Sequence, residues 1–228
     1  MYKTEAHVHT AEVSKCGQVG AEEIIRIYAE AGFHTVFITD HINIPTLARL
    51  GDGLTWCERM DRFMAGYLAA KAAGERLGVT VLFGVEINFA KPEGCPNDYL
   101  VYGLDIDFLK GMPDLNLGSL EEFYQVAKAH GALVIQAHPY RGGACYPTPD
   151  FIDGVEVYNA HPRHTNFNER ALMLAGENPR LFRTVGSDFH MACDAARAYI
   201  LTDYPIETVE DYIRAVREGS ARFVTPEE

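Results

Sequence analysis

The chain has 228 residues, 47% of them hydrophobic and 23% charged, which excludes wholesale disorder and leaves room for one barrel or one large α/β sheet with a sizeable core. Lysine and arginine number 20 against 32 aspartates and glutamates, a net charge of −12. Such a balance disfavours long nucleic acid, whose phosphates need a basic face, and suits cations, since three divalent ions would return about six charges.

Lys3 to Val8 reads as a first strand. Ala21 to Ala31 reads as a helix, with Ile24, Ile25, Ile27, Tyr28 and Ala31 on one apolar stripe and Gly32 where a C-terminal cap belongs. Thr35 to Thr39 is a second strand, apolar on both faces as a covered parallel strand should be. Residues 42 to 57 read as loop. A long helix follows from about Glu58 to Leu77 and stops at Gly78. Val79 to Ile87 is the third strand and residues 88 to 98 a loop. Tyr99 to Gly103 is a short fourth strand. Ser119 and Glu122 form a capping box that opens a helix to His130. Leu133 to Ala137 and Val155 to Tyr158 are strands five and six, with loop between them over 139 to 153. Phe167 to Gly176 is helical, and Thr184 to Ser187 is strand seven. Ala198 to Leu201 and the helix Val209 to Glu218 close the chain. Alternating strands and helices predict a parallel sheet, and seven or eight units in this length predict closure into a single barrel domain over 1–228. No glycine-rich phosphate loop follows the first strand, which removes the nucleotide-binding reason for an open sheet.

Polar residues fall on the strand ends. His7 and His9 end the first strand, and their i, i+2 spacing puts both rings on one face. Asp40 and His41 end the second, Glu86 lies near the end of the third, and Asp98 precedes the fourth. His138 ends the fifth; Asp188 and His190 end the seventh, again at i, i+2. In a parallel barrel these ends meet at one mouth. Six separate segments therefore deliver His, Asp or Glu to one place. Packed there without metal, they would repel or stay half protonated, so the pattern predicts a metal cluster.

His7-Val-His9, Thr39-Asp-His41, Gly84-Val-Glu86, Ala137-His138-Pro139 and Gly186-Ser-Asp188-Phe-His190 together resemble the ordered motifs of the PHP family, the polymerase and histidinol phosphatase domains. The resemblance runs from residue 7 to residue 190. It implies a distorted (β/α)7 TIM-like barrel holding up to three metal ions and hydrolysing phosphate esters. Carried onto this chain, it implies that His7, His9, Glu86 and Asp188 hold a first metal and His41 and His190 a second. Glu86 would bridge to a third, held also by Asp98 and His138. A ligand set that mixes nitrogen and oxygen suits two or three Zn, Mn or Fe ions better than Ca or Mg alone. The chain departs from the family twice. Where the family places an Asp or His soon after H-x-H as a ligand to the second metal, this sequence offers Cys16 or Glu12, or leaves that metal one ligand short, and Cys16 also reads as a small residue in a turn. At the fourth strand it has Asp98 where His is frequent, which shifts the third site toward harder metals.

The cluster implies a mechanism. Metals about 3.5–4 Å apart share a hydroxide, lower its pKa toward 7 and let it attack phosphorus in line. An arginine fork should grip the other phosphate oxygens; Arg163 and Arg141 are the candidates, and Arg197 reads as a structural loop residue. His161 is a candidate general acid or substrate contact. Asp40, Glu156 and Asn159 are expected to support the ligands. His34 and His130 read as structural. The expected activity is hydrolysis of a phosphate monoester of a small molecule or a phosphorylated side chain. An amidohydrolase-like C–N hydrolase is the alternative, but the fourth strand has no lysine to become a bridging carbamate. A non-catalytic PHP module is the third reading. Cys16, Cys57, Cys95, Cys145 and Cys193 are odd in number and lack a C-x-x-C pair, which predicts reduced thiols and a cytoplasmic setting. No membrane partner is expected, since no apolar run approaches the roughly 20 residues of a spanning helix and no secretory signal is visible.

Overall fold

The computed structural model describes residues 1–226; the last two residues of the expected 1–228 domain lie outside the described ones. The strands are β1 (Tyr2–Glu5), β2 (Thr35–Ile38), β3 (His41–Ile42), β4 (Thr80–Asn88), β5 (Asp98–Tyr102), β6 (Leu133–Gln136), β7 (Gly154–Asn159), β8 (Phe182–Gly186), β9 (Tyr199–Thr202) and β10 (Arg222–Val224). The α-helices are α1 (Ala21–Glu30), α2 (Ile44–Arg49), α3 (Trp56–Phe63), α4 (Ala65–Leu77), α5 (Ile106–Gly111), α6 (Leu120–Ala129), α7 (Asn168–Glu177) and α8 (Val209–Glu218).

The sheet runs β10-β9-β1-β2-β4-β5-β6-β7-β8, with β3 beside β4. Past β1 and past β8 the chain meets again through a parallel bridge between Val8 and Phe189. That bridge nearly closes β1, β2, β4, β5, β6, β7 and β8 into the expected barrel. β9 pairs antiparallel with β1, and β10 with β9, outside the ring.

The sheet is not parallel throughout. β5 runs antiparallel to both β4 and β6. The nine residues between Asn88 and Asp98 are too few for a parallel crossover, which takes about a dozen or more, so the chain turns straight back. This reversal puts the first residue of β5, Asp98, at the mouth beside Asn88. The expected long helix is also two. α3 starts earlier, at Trp56, on a Thr55–Glu58 capping box, and it ends at Met64 before α4 begins. Gly66 explains the break. A Cβ there would stand 2.1 Å from Thr10 Oγ1 and 2.7 Å from Asp40 Oδ2, so α4 must start in a direction that brings bare backbone against those side chains. The stretch 42 to 57 carries α2, capped by the Asn43 side chain, and α5 and β10 were not expected.

α1 buries Ile24, Ile25 and Tyr28 against β1, β2 and α4, with Val36, Ile38, Ala70 and Ala73 in the same cluster. The larger core holds Phe37, Val85, Val101, Ile135, Val155 and Val185 from the barrel strands. Tyr212 of α8 packs on Phe37 and Tyr102, with ring centroids 4.7 and 4.6 Å away, within the range where aromatic pairs attract. Among the described residues no helix is long and apolar enough to cross a membrane.

Candidate metal centre

The segments 7–9 and 188–190 lie side by side. His9 N donates to Phe189 O and Phe189 N to His7 O, each at 3.0 Å, so His7-Val-His9 and Asp188-Phe-His190 present alternate side chains to the same interior. β2 is tied to them by Thr39, whose hydroxyl accepts from Val8 N at 2.9 Å. Glu86 N donates to Asp40 O, which sets β4 one step further round.

These ties converge four donor atoms. His7 Nε2 lies 3.1 Å from His9 Nε2, 3.3 Å from Glu86 Oε2 and 3.4 Å from Asp188 Oδ1. His9 Nε2 lies 3.1 Å from Glu86 Oε2 and 3.3 Å from Asp188 Oδ1. Ligands held about 2.0–2.2 Å from one ion stand roughly 3.0 Å apart at octahedral angles and roughly 3.4 Å apart at tetrahedral ones. The measured edges fall in that interval, and all four residues are buried. Around this core, His41 Nδ1 and His138 Nε2 each stand 3.2 Å from a Glu86 oxygen. His190 Nδ1 is 3.4 Å from Asp188 Oδ1, and Asp98 Oδ2 is 3.9 Å from His138 Nε2. A donor atom of Cys16 lies within 4.8 Å of donors on His9 and His41. The residues present therefore fit divalent metal ions, which these side chains would hold.

The electrostatics say the same. Burial works against a charged His7 ring, but Asp188, Glu86 and Glu156 outweigh it and hold the ring well above its ordinary value. His9 is raised in the same way against its burial, by hydrogen bonds to Asp188 and Glu86. Burial likewise opposes charge on Glu86 and Asp188, yet the facing rings, joined at Asp188 by Arg141, hold both well below the usual carboxylate range. Burial pushes His41 down to about 3 and His190 to about 4, so both keep lone pairs. Burial and the nearby Glu86 push Asp98 up to about 7. Two residues of the cluster hold unfavourable backbones: His138 has φ 26° and Asp188 φ 52°. Left-handed conformations cost a non-glycine residue on the order of 1–2 kcal/mol and collect at functional sites.

Glu156, Asn159 and Asp40 lie around these donors. Glu156 Oε1 faces His7 Nδ1 at 3.0 Å, and its Oε2 accepts from His138 N and Asn159 Nδ2. Asn159 also donates to Asp188 Oδ2. Asp40 accepts from Thr10 N, Thr10 Oγ1 and Ser14 Oγ, and so acts on His9 through Ser14, which stands 3.5 Å from His9 Nδ1. Arg141 reaches the cluster, donating from Nη2 to Asn159 Oδ1 and Asp188 Oδ2. Arg163 does not face the carboxylates. Its fork closes on Asp194 at 2.8 and 2.6 Å, and its Nη2 lies 3.1 Å from His161 Nε2. Burial pushes His161 down to about 3. Glu12 sits away from the cluster: both its oxygens accept from Ala21 N at the start of α1. Arg197 binds Ala160 O, His34 lies edge-on to Tyr2 and His130 packs on Phe108, all structural placements.

Sequence reasoning missed Ser14, Asp194 and Asn166. Asp194 accepts from His190 N and Met191 N as well as Arg163, and its place four residues after His190 was the available signal. Asn166 accepts from Arg141 Nε. Neither Asn166 nor Ser14 announces itself by spacing.

The comparisons agree with the geometry. By fold, the chain is similar to a two-domain protein of Bacteroides vulgatus containing a predicted PHP-like metal-dependent phosphoesterase, with TM-score 0.67 and 17% identity over 98% of this chain. This chain spans 64% of that one. It is similar to PsfC of Pseudomonas syringae, with TM-score 0.67, 18% identity and 99% and 93% of the two chains covered. It is also similar to an amidohydrolase from Chromobacterium violaceum with bound sulfate, with TM-score 0.58, 16% identity and 98% of each chain covered. No curated protein matches. The PHP domain model matches residues 5–222, and with the ordered motifs meeting at one mouth, the chain belongs to the PHP domain family.

Proposed function

We propose that the protein is a metal-dependent phosphoesterase that removes phosphate from a small-molecule monoester or a phosphorylated side chain. The observation that carries this reading is the convergence of His7, His9, Glu86 and Asp188 donor atoms, 3.1–3.4 Å apart, next to the Arg141 guanidinium. When bound, divalent ions supply an activated water and neutralise the phosphoryl oxygens. The chain supplies the rest. Glu156 fixes the His7 ring, and Ser14 with Asp40 fixes His9, so the nitrogens facing the cluster stay aligned. Arg141, released from Asp188 Oδ2 by a competing phosphate, offers a planar fork to that phosphate. Arg163, held by Asp194, lines the same side through its contact with His161 and is a second candidate. Support comes from family membership and from the phosphoesterase name of one structural neighbour. The net charge of −12 favours small substrates over long nucleic acid. The β5 strand Asp98–Tyr102 contains no lysine, which speaks against a carbamate-bridged amidohydrolase. Zn, Mn and Fe suit the donor set, two or three ions per chain, in a cytoplasmic setting.

The test is hydrolysis of p-nitrophenyl phosphate by protein loaded with Mn²⁺ or Zn²⁺. Turnover is expected, with none in Asp188→Ala and a raised KM in Arg141→Ala. Metal-loaded protein that leaves every aryl and alkyl phosphate intact would overturn the reading.

A further inference from the structure

The β6–β7 and β7–α7 connections meet where Gly142 N donates to Thr165 O at 2.8 Å. The next side chain, Asn166, is buried, and both ends of its amide are used. Oδ1 accepts from Arg141 Nε at 3.0 Å. Nδ2 faces three acceptors, Asn159 O at 3.0 Å, Asn159 Oδ1 at 3.1 Å and His161 O at 3.3 Å. This orientation is forced, since a flipped amide would set its NH2 against the guanidinium and its oxygen against three other oxygens. Phe167, immediately after Asn166, has φ 49°, a left-handed backbone of the kind that collects at functional sites.

Asn159 closes a ring with the other two residues, its Oδ1 accepting from Arg141 Nη2 at 2.9 Å as well as from Asn166. Arg141 is thus held along one edge, Nε by Asn166 and Nη2 by Asn159, independently of its bond to Asp188. Nη1 has no hydrogen-bond partner among the described residues. The edge left for an incoming anion is therefore Nη1 with Nη2, a fork that matches two phosphate oxygens. Asn168 makes a useful contrast. Its Oδ1 accepts from Asn159 N at 3.0 Å and its Nδ2 donates to Asn159 O at 3.1 Å. It serves the same strand end as Asn166 but makes no hydrogen bond to Arg141.

We infer that Asn166 is a positioning residue for anion binding, holding the Arg141 guanidinium by Nε so that its outer fork stays presented when the bond to Asp188 is exchanged for one to a phosphoryl group. The inference rests on the phosphoesterase reading above and names what orders the anion site of that reading. An arginine released from Asp188 with no second anchor would have to be ordered again at every binding event. Asn166 supplies that order beforehand.

The experiment is calorimetric titration of Mn²⁺-loaded full-length protein with inorganic phosphate, with KM and kcat for p-nitrophenyl phosphate measured on the same samples. Asn166→Ala should weaken phosphate binding about 10-fold, the size of one hydrogen bond to a charged group. KM should rise by a similar factor, with kcat within about twofold of wild type and metal content unchanged. In the Arg141→Ala background the same substitution should change nothing, since an anchor acts only through what it holds. Asn168→Ala should leave phosphate affinity within about twofold of wild type. A second 10-fold loss in the Arg141→Ala background, an equal loss in Asn168→Ala, or loss of metal from Asn166→Ala would each reduce Asn166 to a general structural part and overturn the inference. Unchanged phosphate affinity in Asn166→Ala would overturn it as well. Wild type that binds phosphate but hydrolyses no ester overturns the phosphoesterase reading, while the affinities still decide Asn166. Wild type that binds no phosphate removes both.

Discussion

Glu5, two residues before His7, is buried. Its Oε1 accepts from Ala6 N, His7 N and Ser187 N, and its Oε2 accepts from Tyr28 OH. These donors fix the strand that carries His7. Burial outweighs them and pushes the carboxyl up to about 7 from its ordinary 4.5. Because the folded pKa is the higher one, folding holds the proton more tightly between those values. Stability from this group is therefore full below pH 4.5 and is lost as pH rises through 7, by on the order of 3 kcal/mol. Gln at this position keeps one oxygen for three donors, and the Tyr28 hydroxyl turns to accept. Urea unfolding of apo protein should show Glu5→Gln gaining on wild type steadily from pH 5 to pH 8. A constant difference across that range would remove the account of Glu5. Glu156 acts on the metal side. Glu156→Ala leaves His7 Nδ1 without its partner, and should weaken the tightest metal by about 10- to 100-fold without unfolding the chain, as dialysis against a chelator would read. At this scale the clustering of His7, His9, Asp188 and His190 was legible because residue type and i, i+2 spacing survive in the sequence. The Asp194 grip on Arg163 was not, because a partner 31 residues away leaves no local trace.

Elements fix where those residues meet. The N-terminus of α1 has Gly20 as its cap and no side-chain bond from it. Glu12 from the loop supplies that bond instead, to Ala21 N. Glu12→Ala should cost about 1 kcal/mol, the usual worth of a cap, with metal content unchanged; loss of a metal ion would return Glu12 to the ligand set. Gly186 at the end of β8 shows the opposite dependence. A Cβ there would stand 2.6 Å from His7 Cβ and 2.8 Å from Glu156 Oε1. Gly186→Ala must push β8 away from β1, so it should lower metal affinity and cost roughly 1–3 kcal/mol as an overpacked core does. The strands and the capping box of α6 were readable from periodicity and Ser119–Glu122. The break at Met64 was not. Nothing in Phe63-Met64-Ala65 stops a helix locally, and the cause is the approach of Gly66 to Thr10 and Asp40, two segments distant in sequence. The reversal of β5 was available from the nine residues between Asn88 and Asp98, too few for a parallel crossover.

Taken whole, the molecule is a nearly closed barrel whose strand ends carry opposed charges into one buried place. Seven ring strands were foreseeable from the count of units and β9 from the segment Ala198 to Leu201; β10 was not. A chain of net charge −12 that gathers Glu86, Asp98 and Asp188 at one mouth is stabilised by any divalent ion it binds there. Thermal unfolding with a transition metal at 100 times its Kd should show about 2.7 kcal/mol more stability than in chelator. The most direct test of the centre itself is elemental analysis of purified, dialysed protein beside its His9→Ala and Asp188→Ala variants. The arrangement predicts two or three transition-metal ions per wild-type chain and a clear loss of metal in both variants, each still folded by circular dichroism. Equal metal content in all three proteins, or none in any after exposure to zinc and manganese, would contradict it.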